Sequence, residues 1–327
     1  VVEWFGAVQS QEYAVARWSI GLRARRLRDS DVERAYAHGD ILRTHVLRPT
    51  WHFVSPSDIR WLIELTAPRI RAQMTGRHRQ LELDGRLIAR SSAVICKVLE
   101  DGEHLTRAEI QKQLEGSGID LKNERLGHIM MLLELDTLVC SGVPKGRQHT
   151  YALLAERAQD ATSMERDAAL AELARRYFRS HGPATDRELA RWATLTLADV
   201  RRAIEMLGGE IESLEADGHR MYTIGAAPRR SPTSPRCMLL QIYDEYVGGY
   251  GETRSIVDPH ARTHTSPAVR LPFMHVAIFD GVVIGHWRPS RTKGGGVVDL
   301  QLAAGLSREV RREVDAAIAA YEAFVRS

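Results

Sequence analysis

Three stretches of the chain read as one repeated unit, and a repeat of this kind constrains the fold more than any composition figure. The clearest copy runs from Leu105 to Leu154. Thr106 can cap a helix through Leu114, Gly116 and Gly118 break it, and a second helix follows from about Asn123 to Leu135. Leu138–Ser141 and Thr150–Leu153 then read as paired strands around Pro144-Lys145-Gly146-Arg147. The next copy spans Thr185 to Ile224: helices at Asp186–Ala193 and Thr196–Leu207, a stop at Gly208-Gly209, and strands Ile211–Leu214 and Met221–Ile224. Its Asp217-Gly218 is a strong two-residue hairpin signal. Near the start, Ser30–His38 reads as a helix capped by Ser30 and stopped by Gly39, followed by strands Ile41–Leu47 and Thr50–Val54 around Arg48-Pro49. Helix, turn, helix and hairpin in that order spell a winged helix-turn-helix with a basic wing tip. Its repetition points to duplex nucleic acid.

Between these copies, Val1–Arg28 has helical apolar spacing, Val54–Gln73 is a helix entered through Ser55-Pro56-Ser57-Asp58, and Leu87–Leu99 and Met164–His181 are lead helices. Three prolines in Ala227–Pro235 mark a semi-stiff linker beginning at Ala226. Beyond it the period becomes two. Met238–Ile242, His275–Phe279, Val282–Trp287 and Val297–Leu302 are strands, Asp280-Gly281 is a hairpin turn, and Ser307–Val325 is a closing amphipathic helix. The expected fold is mainly α with β-hairpins, an α+β chain. Its units are winged helices over residues 1–80, 81–160 and 161–226, then a small β domain with a terminal helix over 236–327.

The 327 residues carry a net charge of only +3, so there is no bulk polybasic character. Arginine is dense locally, at Arg23, Arg25, Arg26 and Arg28 and again at Arg229, Arg230 and Arg236. Such runs are commonly solvated faces, and in a DNA-binding chain they also supply phosphate contacts. The expected DNA contacts are Arg23, Arg25, Arg26 and Arg48, with Lys145, Arg147 and His149 at the wing of the middle unit. Cys96, Cys140 and Cys237 are few, odd in number and scattered, which suits a reducing cytoplasm and argues against a disulfide framework or a thiolate metal site. No stretch is apolar enough to span a bilayer, and no signal peptide is recognisable. The chain begins without Met inside an apolar pattern (Val1, Val2, Trp4, Phe5), from which a preceding helix is expected.

No metal site is expected. There is no His-Glu-x-x-His and no Cys-x-x-Cys, and the pair His260/His264 sits beside Pro259 in a polar loop. Gly294-Gly295-Gly296 lacks the setting of a nucleotide loop and reads as a turn, so no cofactor is expected either. Three other clusters can carry chemistry. In Val8-Gln9-Ser10-Gln11-Glu12 the two glutamines share one side if the backbone is extended, and paired carboxamides can donate and accept toward a base edge, a sugar or a water; they can equally form a polar surface turn. In the hairpin from Arg43 to His52, Thr50 and His52 share a strand face. Tyr243–Tyr250 offers Asp244, Glu245 and three tyrosines, in a structural turn or in a site.

The Gln-x-Gln after an apolar helix, the Arg-Thr…Arg-x-Thr-x-His hairpin followed by Asp58-x-x-Trp61, and the segment from Leu239 to Tyr250 together resemble the AlkZ/YcaQ-like family of tandem winged-helix DNA glycosylases. The likeness covers nearly the whole chain in the same order of parts. It implies a monofunctional glycosylase, probing double-stranded DNA as a monomer, for N7- or N3-alkylated purines or bulky adducts and crosslinks. The family's catalytic Gln-x-Gln falls on Gln9 and Gln11, with Ser10 where an aliphatic residue is usual, and Thr50 and His52 serve as positioning groups on the same surface. An alkylated purine is cationic and leaves without protonation, so the enzyme must hold a cationic sugar-like transition state and a water. Glu12, Asp40 or Asp244 is expected to add negative charge. No lysine is marked as a Schiff-base nucleophile, so lyase chemistry is not expected. The competing readings are a non-catalytic winged-helix transcriptional regulator, reading bases with Lys122, Asn123, Arg125 and His128 or with Arg201 and Arg202, and a protein-binding scaffold. Release of free 7-methylguanine from alkylated DNA separates them.

Overall fold

The computed structural model describes residues 1–24, 26–225, 234–260, 275–290 and 298–326. It is a mixed α and β chain with small antiparallel sheets. The first segment contains α1 (Val2–Phe5), β1 (Val8–Gln9), α2 (Tyr13–Gly21), α3 (Asp29–His38), β2 (Leu42–His45) and β3 (Trp51–Val54), with sheet order β1-β3-β2. The long α4 (Ile59–Gln80) leads to α5 (Gly85–Val98), β4 (Leu105–Thr106), α6 (Arg107–Gly116), α7 (Arg125–Leu135), β5 (Val139–Ser141) and β6 (Thr150–Leu153), with order β4-β6-β5. After the short α8 (Leu154–Arg157) come α9 (Arg166–His181), α10 (Asp186–Ala193), α11 (Leu197–Leu207), β7 (Glu212–Ala216) and β8 (His219–Thr223). Ala184 bridges to Tyr222, so here too the chain between the first two helices lies beside the last strand. All three segments therefore run helix, strand or bridge, helix, helix, strand, strand.

The last part holds β9 (Cys237–Leu240), α12 (Glu245–Gly248), α13 (Arg254–Val257), β10 (His275–Phe279), β11 (Val282–Pro289), β12 (Val298–Leu302) and α14 (Arg308–Val325), with sheet order β12-β11-β10-β9. It shares its core with the first segment. Val8, Trp18 and Phe53 belong to the same buried cluster as Leu239, Trp287, Tyr321 and Phe324. The Trp18 indole donates to the Leu239 carbonyl at 2.7 Å, and Trp287 to that of Leu240 at 2.9 Å. This contact requires a glycine. A Cβ on Gly21, at the end of α2, would stand 2.5 Å from the buried Phe324 ring. Gly21→Ala is expected to cost about 1–3 kcal/mol by overpacking, seen as a lowered thermal midpoint. An unchanged midpoint would mean that α14 shifts freely.

Local chemistry explains most boundaries. Thr106 and Glu109 form a reciprocal capping box at the start of α6, as Thr185 and Glu188 do for α10. Asp217 and Gly218 carry φ of 50° and 74°, and Asp280 and Gly281 47° and 87°, the left-handed pairs that tight hairpins need. Some expectations need correction. Ser30 is not a cap: α3 starts one residue earlier, and the Arg28 backbone N–H is met by the Asp31 carboxylate at 3.0 Å. Within Val1–Arg28 the segment between α1 and α2 is β1, which completes a sheet with β3. The helix expected to end at Gln73 continues to Gln80 through Pro68. Residues 226–233 of the linker and the glycine turn at 294–296 lie outside the described residues.

The C-terminal part of α7, the helix that the competing reading aimed at bases, is core. Leu126 and every residue from Ile129 to Leu135 are buried, because the helix is packed between α4, β2 and its own segment. Four of the side chains named for base reading are engaged with other groups of the protein, Lys122, Arg201 and Arg202 at its surface. Arg125 donates to the Leu81 carbonyl and pairs with Glu82, and Lys122 pairs with Asp120. Arg201 and Arg202 pair with Asp186 and Asp167.

Candidate active site

The site is built on the pairing of β1 with β3. Gln9 lies opposite His52, and the Ser10 N–H donates to the Trp51 carbonyl at 2.8 Å. In this extended stretch both glutamines reach the beginning of β3. The Gln9 amide nitrogen donates to Thr50 Oγ1 at 3.3 Å, and Gln11 Oε1 accepts the Trp51 N–H at 3.3 Å. Gln9 is buried and Gln11 is exposed. The structure thus brings together Gln9, Gln11, Thr50 and His52, all on one strand pair.

Arg48 belongs to this cluster and not to an outer surface. Its Nη2 lies 3.0 Å from His52 Nε2 and 3.4 Å from Gln9 Oε1. His52 Nδ1 lies 2.9 Å from the Thr50 carbonyl, which can only accept. Nδ1 therefore carries the proton, and Nε2 accepts from the donor-only guanidinium. Arginine likewise fixes the Gln9 amide with its oxygen toward Arg48 and its nitrogen toward Thr50. Burial, reinforced by Arg48, holds the His52 imidazole down to about 3, so it is neutral at physiological pH.

The carboxylate nearest Gln9 is Glu245, at the start of α12. Its Oε1 accepts the Gln9 N–H at 3.2 Å, and its Oε2 accepts the Trp192 indole N–H at 2.6 Å and lies 3.3 Å from His181 Nε2. Burial alone would raise its pKa. The His181, Arg48 and Trp192 side chains outweigh that and hold it at about 2. Gln241 donates to the Gln9 carbonyl at 3.0 Å, and Arg43 donates to that of Ser10 at 3.0 Å. The backbone of residues 9–10 is therefore clamped from the C-terminal part and from β2. Of the three carboxylates expected to add negative charge, none is hydrogen-bonded to either glutamine: Asp244 pairs with Arg23, Asp40 with His38, and Glu12 with His275; the one that is, Glu245, was named from sequence only as a member of the Tyr243–Tyr250 cluster. His181, Trp192 and Gln241 left no local signal, since they reach the site from 53 to 232 positions away from their partners.

The expected DNA contacts divide. Arg23 is corrected: its guanidinium clasps buried Asp244 at 2.6 and 2.9 Å, facing inward. Arg25 lies outside the described residues. Arg26 is exposed. Lys145 is exposed but paired with Glu109 at 2.9 Å, and Arg147 is exposed at the hairpin tip. His149 packs edge-on against Tyr13, ring centroids 4.5 Å apart, and burial holds it near 4, so it is not a cation for phosphate at neutral pH. Among the described residues no group of three or more His, Cys, Asp and Glu is placed to hold a metal. His264 lies outside them. No described helix is long and apolar enough to cross a membrane.

The buried neutral imidazoles set an acid limit. A folded pKa depressed below the unfolded value of about 6.5 means the unfolded chain binds more protons below that pH, so stability falls as pH falls. His52 alone should cost about 2 kcal/mol between pH 7 and pH 5. The thermal midpoint is expected to drop by several degrees over that range, and a flat profile would contradict the neutral assignment.

A strand pair that presents two carboxamides beside a buried cation and a buried anion fits a hydrolase that positions water without a metal-ligand cluster among the described residues, and comparison with known proteins defines its class. A model of the AlkZ-like DNA glycosylases matches residues 2–324. An interstrand DNA cross-link repair glycosylase of Streptomyces sahachiroi is 25% identical over 294 residues, 86% of this chain and 79% of that protein. The solved structure of Streptomyces sahachiroi DNA glycosylase AlkZ matches with a TM-score of 0.78 at 22% identity, covering 99% of this chain and 91% of that one. The protein is a DNA glycosylase, a hydrolase of N-glycosyl bonds. It belongs to the AlkZ-like family.

Proposed function

We propose that this enzyme is a monofunctional glycosylase that removes N7- or N3-alkylated purines, bulky adducts and crosslinked bases from double-stranded DNA, acting as a cytoplasmic monomer without a cofactor. One observation carries the reading: the extended Val8–Gln9 strand sets Gln9 and Gln11 together at Thr50 and Trp51. Both amides are pre-oriented by donor-only partners, Arg48 for Gln9 and the Trp51 N–H for Gln11. Preorganised dipoles of this kind stabilise charge as it develops without reorganising. The cationic purine supplies its own leaving ability, so the glutamines need only hold the sugar and the attacking water. Thr50 and His52 position Gln9 directly and through Arg48. The repeated segment order, each with its first strand beside its last, supports three tandem winged helices over residues 1–80, 81–160 and 161–226, followed by a β domain over 236–327. The 1–80 unit shares one buried cluster with the β domain and another with the second and third units, so the proposed units are packed through common cores.

Single-turnover release of 7-methylguanine from a methylated duplex tests the reading, with release of the base and no strand cleavage as the expected result. No excision from any alkylated duplex would overturn it. Binding is expected to be electrostatic and insensitive to sequence. Arg147→Ser should flatten the dependence of log affinity on log salt by about one unit. Lys145→Ser should have a smaller effect, because Glu109 already neutralises that lysine. Salt-independent binding by the wild type would contradict the phosphate role.

A further inference from the structure

One buried titratable ring beside Glu245 has no task in the chemistry above. It is His181, the last residue of α9, and both of its nitrogens face acceptors. Nε2 is 3.3 Å from Oε2 of the Glu245 carboxylate. Nδ1 is 2.8 Å from Ser180 Oγ. That hydroxyl has a single proton, which it donates to the Arg176 carbonyl, one helical turn back, at 2.7 Å. Only lone pairs remain for Nδ1, so Nδ1 donates too, and a ring that donates from both nitrogens is an imidazolium. Its surroundings suit a cation. The Tyr177 ring is stacked on it with centroids 4.5 Å apart and 12° between the planes, and Phe5 and Trp192 close in at 5.4 and 5.3 Å. Aromatic faces attract such a charge where water does not reach it.

We propose that His181 is a positioning residue for base excision: it is held as an imidazolium, and its charge keeps Glu245 ionised and thereby keeps the Gln9 backbone aimed. The part that concerns excision rests on the glycosylase reading above. Glu245 receives three N–H donors, from Gln9, Trp192 and His181, and a proton on either of its oxygens would compete with one of them. The other groups that face it do not replace the imidazolium. Arg48, in the turn between β2 and β3, acts on it through space while its own hydrogen bonds go to Gln9 and His52. His52 is neutral, and Arg23 of α2 clasps Asp244. Burial holds the Tyr177 and Tyr250 phenols well above their usual range, so they add no charge. A buried carboxylate that loses the cation in contact with it takes up a proton at higher pH. The Gln9 N–H then loses its charged acceptor, and the clamp on residues 9–10 loosens.

The test reads the ring, the Gln9 amide and the rate. In the wild type at about pH 7.5, nitrogen NMR should show both His181 ring nitrogens protonated. One unprotonated nitrogen overturns the proposal, with no variant needed. His181→Gln keeps an N–H for Glu245 and removes the charge. The Gln9 amide proton is bonded to Glu245, so its chemical shift reports whether that carboxylate is ionised. Between about pH 5.5 and 8.5 this shift should stay constant in the wild type and titrate in His181→Gln. A variant whose Gln9 amide does not titrate overturns the role assigned to the charge. Single-turnover excision of 7-methylguanine at saturating enzyme is then compared across the same range. The ratio of wild-type to His181→Gln rate should be at least tenfold larger at about pH 6 than at about pH 8.5. A ratio independent of pH means that His181 only packs, and overturns the positioning role. Should His181→Gln fail to fold, the wild-type ring nitrogens decide. Wild type that excises nothing at any pH overturns the glycosylase reading and the excision role with it, while both NMR measurements need no substrate and decide the ion pair by themselves.

Discussion

Gln9→Ala is expected to slow single-turnover excision of 7-methylguanine by ten- to a thousandfold, about 1.4–4 kcal/mol of transition-state stabilisation, with DNA affinity nearly unchanged. The side chain is buried, and its oxygen and nitrogen are both held, by Arg48 and by Thr50. Removing it deletes an oriented dipole and leaves a guanidinium without one of its acceptors. Gln11→Ala should show a loss in the same range with less effect on stability, because Gln11 is exposed and gives up only the Trp51 contact. A Gln9→Ala enzyme that excises at the wild-type rate would place the chemistry elsewhere. Comparing binding and excision in the same variants separates a lost dipole from a lost fold.

Glu245→Gln should be the more damaging change to the protein as a whole. The carboxylate is almost completely buried and receives donors from Gln9, Trp192 and His181. A carboxamide of the same shape turns an N–H toward one of those donors and removes the negative charge nearest Arg48. Removing one member of a buried charged cluster costs about 3–5 kcal/mol. The thermal midpoint should fall by many degrees, and excision should fall even at temperatures where the variant remains folded, because the Gln9 backbone loses its anchor. Unchanged melting and unchanged excision would show that Glu245 is a bystander. Acid should mimic part of this loss. The carboxylate's contribution is complete above its unfolded value near 4.5 and disappears as pH falls toward about 2.

Much of the scaffold was legible because its signals are local. A capping box such as Thr106–Glu109 or a turn such as Asp217-Gly218 acts within four residues, and each lies where the pattern puts it. The terminal helix is capped by Ser307 as its sequence suggests. The site was legible only in outline. Gln9 and Gln11 were marked by their motif, but β1 is two residues long, too short for any periodicity to declare it a strand. Arg23 and Arg48 read as surface charge because arginine looks the same in sequence whether it meets water or a buried partner; one clasps Asp244 and the other His52 and Gln9. The burial of α7 did have a signal. Its run from Ile129 to Leu133 is apolar without interruption, and a helix that is apolar all round belongs in a core, not in a groove of DNA. The partners of Glu245 had none, because contacts made across 53, 64 and 236 positions obey no local rule.

The clamp on Gln9 has a consequence for the order in which the enzyme comes into being. A ribosome makes the two glutamines well before the groups that hold the Gln9 backbone, Gln241 and Glu245, which are translated more than two hundred residues later. The nascent polypeptide therefore carries the two glutamines proposed for catalysis without the means to aim them. Competence to cut a base from the genome arrives only after the segment that bears Gln241 and Glu245 has been synthesised and docked.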